Sequence, residues 1–298
     1  MSKQYIENEV LKVEVAAHGA ELSSVYDKEN QLERVWCADP AVWNRHAPIL
    51  FPFVGKVKDK EYTYQGKTYE MKTQHGFGRD SVFTCVEKTD ASVTYSLVST
   101  EETKKIYPFD FDFKVTHTLD AENPRILHII WEVENKGNGD MYFKVGGHPG
   151  FMVPVDAEGN ATETYLEFPG KEAFTLTLLN LQTGYATPWN TKELKLEDGF
   201  CKVHKELFDI DTLIMDNGQV EVSRICKADK TPYVTMVSKG FTSFGVWAKD
   251  ISKFICLEPW AGRSDNEDAP AELTEKDGIQ KLEAGKSGKW EYTVEFHK

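Results

Sequence analysis

The chain has 298 residues, 40% of them hydrophobic and 28% charged, which is the make-up of a water-soluble globular protein. Its formal net charge of −13 argues against nucleic acid, because no basic face is evident to displace counterions from phosphates, and it disfavours an anionic membrane surface for the same reason. No apolar run approaches the roughly 20 residues needed to span a bilayer, and no apolar leader follows Met1 to Ile6, so the expectation is a cytoplasmic protein without a membrane partner.

The five cysteines, Cys37, Cys85, Cys201, Cys226 and Cys256, are odd in number and widely spaced. That pattern fits buried free thiols in a reducing compartment better than a disulfide framework. Zinc-type ligand spacing, a Gly-rich phosphate loop and a G-x-S-x-G elbow are all missing, so the expected activity, if any, needs no cofactor.

Along the chain the recurring signal is alternation with a period of two. Leu11, Val13 and Val15 alternate with Lys12 and Glu14, as in a half-buried strand. His18 to Glu21 is a turn. Trp43 to Lys56 brackets an apolar patch between Pro48 and Pro52, which rules out a helix interior or a central strand and leaves a loop packed on a sheet. Arg45 and His46 at its start are placed to face a cleft.

Glu61 to Tyr69 is a hairpin around Gln65-Gly66. It leads to Gln74-His-Gly-Phe-Gly-Arg-Asp80, where glycines expose backbone between His75 and Arg79. An Arg presents fixed donors suited to sugar hydroxyls or a phosphate, and His75 adds a titrating or hydrogen-bonding group. A plain turn with a surface Arg is the competing reading.

Alternating strands follow around Val93–Leu97, Phe111–Val115 and Leu127–Val133, with His117 and His128 inside them as structural or exposed residues. Asn135 to Asp140 is a turn. Past Tyr165–Phe168 the stretch from about 170 to 206 reads as polar and irregular, and Asp216-Asn-Gly218 reads as a hairpin turn. Strands are expected at Tyr233–Val237, Phe244–Trp247 and around Glu258, then a loop or short helix over Gly262–Gly278 and a final strand at Trp290–Phe296. The many short strands with turn signals between them predict an all-β body, a sandwich or barrel, forming one domain over residues 1–298.

Two stretches stand apart chemically. In Lys144-Val-Gly-Gly-His-Pro-Gly-Phe151 the glycines strip side chains from the backbone and Pro149 holds His148 in an extended conformation. An imidazole there can donate or accept a proton near neutral pH. In Phe254-Ile-Cys-Leu-Glu-Pro-Trp260, Glu258 interrupts an apolar strand. A buried carboxylate is retained when it is paired or used, and desolvation raises its pKa toward that of a working general base. The alternatives are a structural His and a strand-end Glu paired with Arg263.

Four segments in order carry a likeness to a known family: Asn44-Arg-His-Ala-Pro-Ile-Leu-Phe-Pro-Phe-Val-Gly55, His75-Gly-Phe-Gly-Arg79, Gly147-His-Pro-Gly-Phe151 and Cys256-Leu-Glu-Pro-Trp260. Over essentially its full length the chain resembles the aldose 1-epimerase (galactose mutarotase) superfamily, in particular its divergent bacterial LacX-like branch. The resemblance implies a galactose mutarotase-like supersandwich of two large antiparallel sheets with few short helices, and a cleft that takes a pyranose. It also implies His148 as the acid that protonates the ring oxygen and Glu258 as the base that takes the C1 hydroxyl proton, the two on opposite sides of one hemiacetal.

His75 is then a sugar contact, Asp211 a match to a sugar-binding acid, and Arg45 and Arg79 matches to the hexose-6-phosphate epimerase branch. The chain lacks the Asn-Arg pair that the well-studied mutarotases carry after the first motif, offering Lys56, Lys58 and Lys60 nearby. The expected partner is a small-molecule sugar or sugar phosphate, and the expected assembly a monomer or homodimer. A hexose-6-phosphate 1-epimerase and a sugar-binding module without turnover remain as alternatives.

Overall fold

A computed structural model describes residues 2–298. Two large antiparallel sheets dominate it. The nine-stranded sheet takes its strands in the spatial order Phe200–Lys202, Tyr165–Glu167, Val222–Cys226, Pro232–Val237, Ser287–Phe296, Ile126–Asn135, Phe111–Leu119, Ser92–Val98 and Thr84–Lys88. The eight-stranded sheet runs Ala186–Lys195, Ala173–Leu179, Leu213–Asp216, Ser243–Trp247, Phe254–Ala261, Val145–Gly147 and Ile49–Leu50, with Gly150–Met152 also paired to Phe254–Ala261.

A four-stranded sheet over Lys3–Glu33 and the Glu61–Tyr64/Lys67–Glu70 hairpin flank this sandwich. The helices are short, the longest α segment being Glu101–Ile106, capped by Thr100. Among the described residues no helix is long and apolar enough to cross a membrane. The expected all-β supersandwich is therefore present.

The period-two pattern explains the layering. In Phe111–Leu119 and Ile126–Asn135 every second residue is buried, and Trp131, Phe113, Phe111 and Val133 point into one core with Phe51, Phe143 and Tyr107. Phe51 packs on Phe113 with ring centroids 4.5 Å apart. Three cysteines, Cys201, Cys226 and Cys256, are buried, Cys37 is exposed, and all five are free thiols.

Two local expectations need correction. The stretch from about 170 to 206 is ordered as the outer strands Ala173–Leu179, Ala186–Lys195 and Phe200–Lys202. Most side chains of Ala186–Lys195 face solvent, so an edge strand of this kind lacks the apolar alternation by which a strand is recognised. Asn217 and Gly218 do form a left-handed turn, with φ of +62° and +64°, but they make no hairpin. Leu213–Asp216 pairs in the eight-stranded sheet and Val222–Cys226 in the nine-stranded one, so this turn carries the chain across the sandwich.

Of the two strand histidines, His117 is buried, and burial pushes its pKa down to about 3. His128 lies between Glu291 Oε1 and Asp120 Oδ2, both 2.9 Å away. Burial alone would lower its pKa, but hydrogen bonds to the two carboxylates outweigh it and raise the pKa above the ordinary value. The protonated form thus favours the fold, a contribution complete below about pH 6.5 and lost as pH rises through the raised folded value. His128→Gln should destabilise the protein near pH 6 and make little difference near pH 9, as urea denaturation at the two pH values would register. An equal loss at both would contradict this.

Candidate active site

The strand Phe254–Ala261 is buried along its whole length at the centre of the eight-stranded sheet. Alternation sends Ile255, Leu257 and Ala261 into the shared core. Cys256, Glu258 and Trp260 therefore point to the opposite face. On one side the strand pairs with Ser243–Trp247, where Gly245 stands opposite Glu258. A Cβ on Gly245 would lie 2.5 Å from the Trp260 ring, so only a glycine lets the indole lie flat across the sheet.

On its other side the strand pairs with Val145–Gly147 and again with Gly150–Met152. His148-Pro149 interrupts the ladder because proline has no N–H to give, yet the register is the same before and after, which sets His148 directly across from Glu258. The His148 N–H donates to Pro48 O at 3.0 Å and the Gly150 N–H to His46 O at 2.9 Å, so the Trp43–Lys56 loop clamps the histidine from behind.

His148 Nε2 lies 3.4 Å from Glu258 Oε2. The expectation placed the two groups on opposite sides of a sugar. They instead touch side by side on one floor, because cross-strand neighbours in register stand only a strand spacing apart. The pairing of Glu258 with Arg263 is also absent: Arg263 Nε and Nη2 bond to Asp216 and Asp277.

His148 is enclosed by aromatic rings. Trp43 leans over it with centroids 4.9 Å apart, and Trp247 and His75 approach at 5.4 and 5.9 Å, each with its ring nearly perpendicular to the imidazole. Burial in this cage pushes the His148 pKa down to about 3, helped by the charges of Arg79 and Arg45. Glu258 moves the other way. Burial first and the Asp211 carboxylate second raise its pKa well above the carboxylate range. Burial thus favours the uncharged form of each of the two groups in contact. Glu258 Oε1 and His148 Nδ1 are buried without a protein hydrogen-bond partner.

Above this pair opens a cavity of about 480 Å³, in the size range of small-molecule sites. His75, Arg79, His148, Asp211 and Glu258 all line it. His75 has φ of +67° and accepts the Gly55 N–H on Nδ1 at 3.0 Å. Its pKa lies well below the ordinary value because it is buried and faces Arg79, so it is neutral with its proton on Nε2, which requires Gln74 to present its amide oxygen there. Gly76 follows with φ of +68°, its Cα so close to the Phe51 carbonyl that a Cβ would fall 2.3 Å from the oxygen.

Arg79 is mostly buried, its Nε makes no hydrogen bond and lies 3.7 Å from Asp80 Oδ2, and burial together with Arg45 lowers its pKa to about 10. Arg45 and His46, both expected to face a cleft, lie outside the lining, and His46 Nδ1 meets the Trp36 carbonyl at 2.8 Å; Arg45 stays close by. Its Nη2 bonds to Asp80 at 2.7 Å, so it acts on the cavity as a nearby charge. Asp211 has φ of +67° at the end of the turn Lys205–Ile210 and accepts a hydrogen bond from the Thr212 hydroxyl.

Sequence reasoning missed the walls. Trp43, Trp247, Asn180, Lys249 and Trp260 line the cavity together with Lys56, whose Nζ donates to Thr183 O at 2.7 Å. Lys58 and Lys60, expected near the site with Lys56, stay outside the lining. Among the described residues, the side chains that could hold a metal ion together are His148, Cys256 and Glu258, whose ligand atoms lie within 4.8 Å of one another.

Comparison with known proteins accords with this fold. The family model described as Aldose 1-epimerase matches residues 3–278. The chromosomal LacX protein of Lactococcus lactis subsp. lactis is 29% identical over 290 residues, 93% of each chain. A galactose mutarotase related enzyme from Lactobacillus acidophilus superposes with a TM-score of 0.92 at 33% identity, over 100% of this chain and 98% of its own. A galactose mutarotase-like protein from Lactobacillus casei ATCC 334 gives 0.88 at 29% identity, over 99% of this chain and all of its own. With a family model spanning nearly its whole length and this fold beneath it, the chain belongs to the aldose 1-epimerase family.

Proposed function

We propose that the protein interconverts the α and β anomers of an aldose by opening and reclosing the pyranose ring, with His148 as acid and Glu258 as base. The observation that carries this reading is the 3.4 Å contact between His148 Nε2 and Glu258 Oε2 on the floor of the cavity. The ring oxygen and the C1 hydroxyl of a hemiacetal are bonded to one carbon, so two adjacent side-chain tips can each reach one of them.

The proton balance closes within the pair. The Glu258 carboxyl proton shifts to His148, which gives it to the ring oxygen as the C1–O5 bond breaks, while the resulting Glu258 carboxylate takes the proton of the C1 hydroxyl. The open aldehyde then faces a neutral imidazole and a protonated carboxyl, the state that burial favours. After rotation about C1–C2 the two transfers run backwards onto the other face of the carbonyl. His75, Gln74, Asp211 and Asn180 supply hydrogen-bonding groups for the remaining hydroxyls, and Trp43, Trp247 and Trp260 supply apolar faces.

Polarimetry on freshly dissolved α-glucose and α-galactose tests the reading, and equilibration faster than in buffer is the expected result. Binding without acceleration would make the protein a sugar-binding module. A second reading, a sugar bearing a phosphate, is favoured by Arg79, a cavity-lining guanidinium whose Nε makes no hydrogen bond, and by Lys56 and Lys249 on the cavity wall. Glucose 6-phosphate in the same assay decides it: strict dependence on the phosphate would replace a free aldose as substrate.

A further inference from the structure

The geometry points to a second ligand for this cavity floor: a soft divalent cation, Zn²⁺ or a chemical equivalent, held by His148, Cys256 and Glu258 in competition with sugar. Cys256 and Glu258 stand two residues apart on one face of one strand, and His148 comes across from Glu258 in register. Opposite Cys256 stands Gly150, which puts no side chain between thiol and imidazole. One ligand atom from each of the three residues lies within 4.8 Å of the other two.

Bonds of about 2.0–2.3 Å to N, O and S in a tetrahedral site call for ligand separations of roughly 3.3–3.8 Å, so the three groups need close in by only about 1 Å. The cluster also holds a buried polar atom with nothing to bond, Glu258 Oε1. A cation uses lone pairs of this kind, whereas a purely packed cluster leaves them unsatisfied.

Charge and ligand softness select the ion. A thiolate, a carboxylate and a neutral imidazole around a divalent ion sum to zero, which suits a site walled by Trp36, Trp43 and Phe254; the thiol and carboxyl protons leave to water. The thiolate selects zinc or cadmium over magnesium and calcium, which prefer oxygen. The fourth position opens toward the cavity, where water or a sugar hydroxyl completes the tetrahedron. The bound ion occupies the acid and the base together, so it silences turnover. Capture of the ion rests on the three side chains alone, while inhibition rests on the proposed anomerisation.

The test is Cd²⁺ titration of the purified full chain carrying Cys37→Ser and Cys85→Ser, which removes the two accessible thiols. The ultraviolet cadmium–thiolate band should rise to one equivalent, be displaced by Zn²⁺ but not by Mg²⁺, and weaken in the presence of galactose or glucose. Adding Cys256→Ser should abolish the band. His148→Ala, on the cavity wall and so less exposed to folding failure, should keep it while weakening affinity on the order of 100-fold, since even an outer-shell partner is worth 10- to 100-fold. No band in the parent protein, or a band untouched by His148→Ala, overturns the site. A full band in a protein that does not accelerate anomer exchange would sink the proposed reaction and leave the metal site standing.

Discussion

Glu258→Gln should lower the rate of anomer exchange by about 10²- to 10⁴-fold, the range contributed by one positioned proton-transfer group. That is roughly 3–5 kcal/mol of barrier. Glutamine keeps the shape of the side chain and an acceptor oxygen but cannot carry the proton, so the loss belongs in turnover and not in sugar affinity. The fold should persist, because the position sits in a fully paired central strand whose neighbours Leu257 and Ala261 anchor it in the core.

His148→Ala should cost a similar factor, and the double variant little more than either single change, because the proposed acid and base stand in contact and would act as one unit. Polarimetry read against the spontaneous rate in buffer, with circular dichroism as a folding control, measures this. A Glu258→Gln protein that keeps more than a tenth of the parent rate would remove the carboxylate from the reaction.

Asp265→Ala should destabilise the protein by about 3–5 kcal/mol, the usual consequence of stripping one partner from a buried ion pair. Asp265 is almost fully buried and bonds to two equally buried ammonium groups, Lys276 Nζ at 2.6 Å and Lys144 Nζ at 3.2 Å. Without the carboxylate, two like charges remain together in the interior. Burial would raise the Asp265 pKa, yet the two lysines hold it below the ordinary carboxylate value. Its contribution is therefore complete above about pH 4 and disappears as pH falls through the lower folded value.

The same residue organises the site. Lys144 opens the segment that leads to His148, the Asp265 N–H donates to Lys56 O, and the Lys58 N–H donates to Asp265 Oδ2. Anomer exchange should fall along with stability. Urea denaturation of Asp265→Ala, with Asp265→Asn as the milder variant should alanine fail to fold, gives the magnitude, and a loss below about 1 kcal/mol would mean that solvent already screens the lysines.

Sequence alone was enough for whatever depends on neighbours in the chain. Alternation in Phe111–Leu119, Ile126–Asn135 and Ser287–Phe296 marks the central strands because each buries one face. The glycines around His148 and the lone acid within Phe254–Ala261 mark the two proposed reactive groups because each breaks a local rule. The edge strand Ala186–Lys195 escaped because most of its side chains face solvent, and the crossing at Asn217-Gly218 escaped because a turn specifies its own dihedrals and not the sheets that its flanks join.

Folding decided the rest. That His148 meets Glu258 side by side follows from an unbroken register across Pro149, a relation between segments more than a hundred residues apart. That Trp43 and Trp247 enclose the imidazole, and that Lys249 reaches the cavity, follows from packing between segments whose sequences carry no sign of each other. Dihedral preference and amphipathic period act over a few residues. Proton affinity and cavity shape depend on what the chain brings together across the sandwich, so residue types could be read in order, while their pKa values and partners took form only in three dimensions.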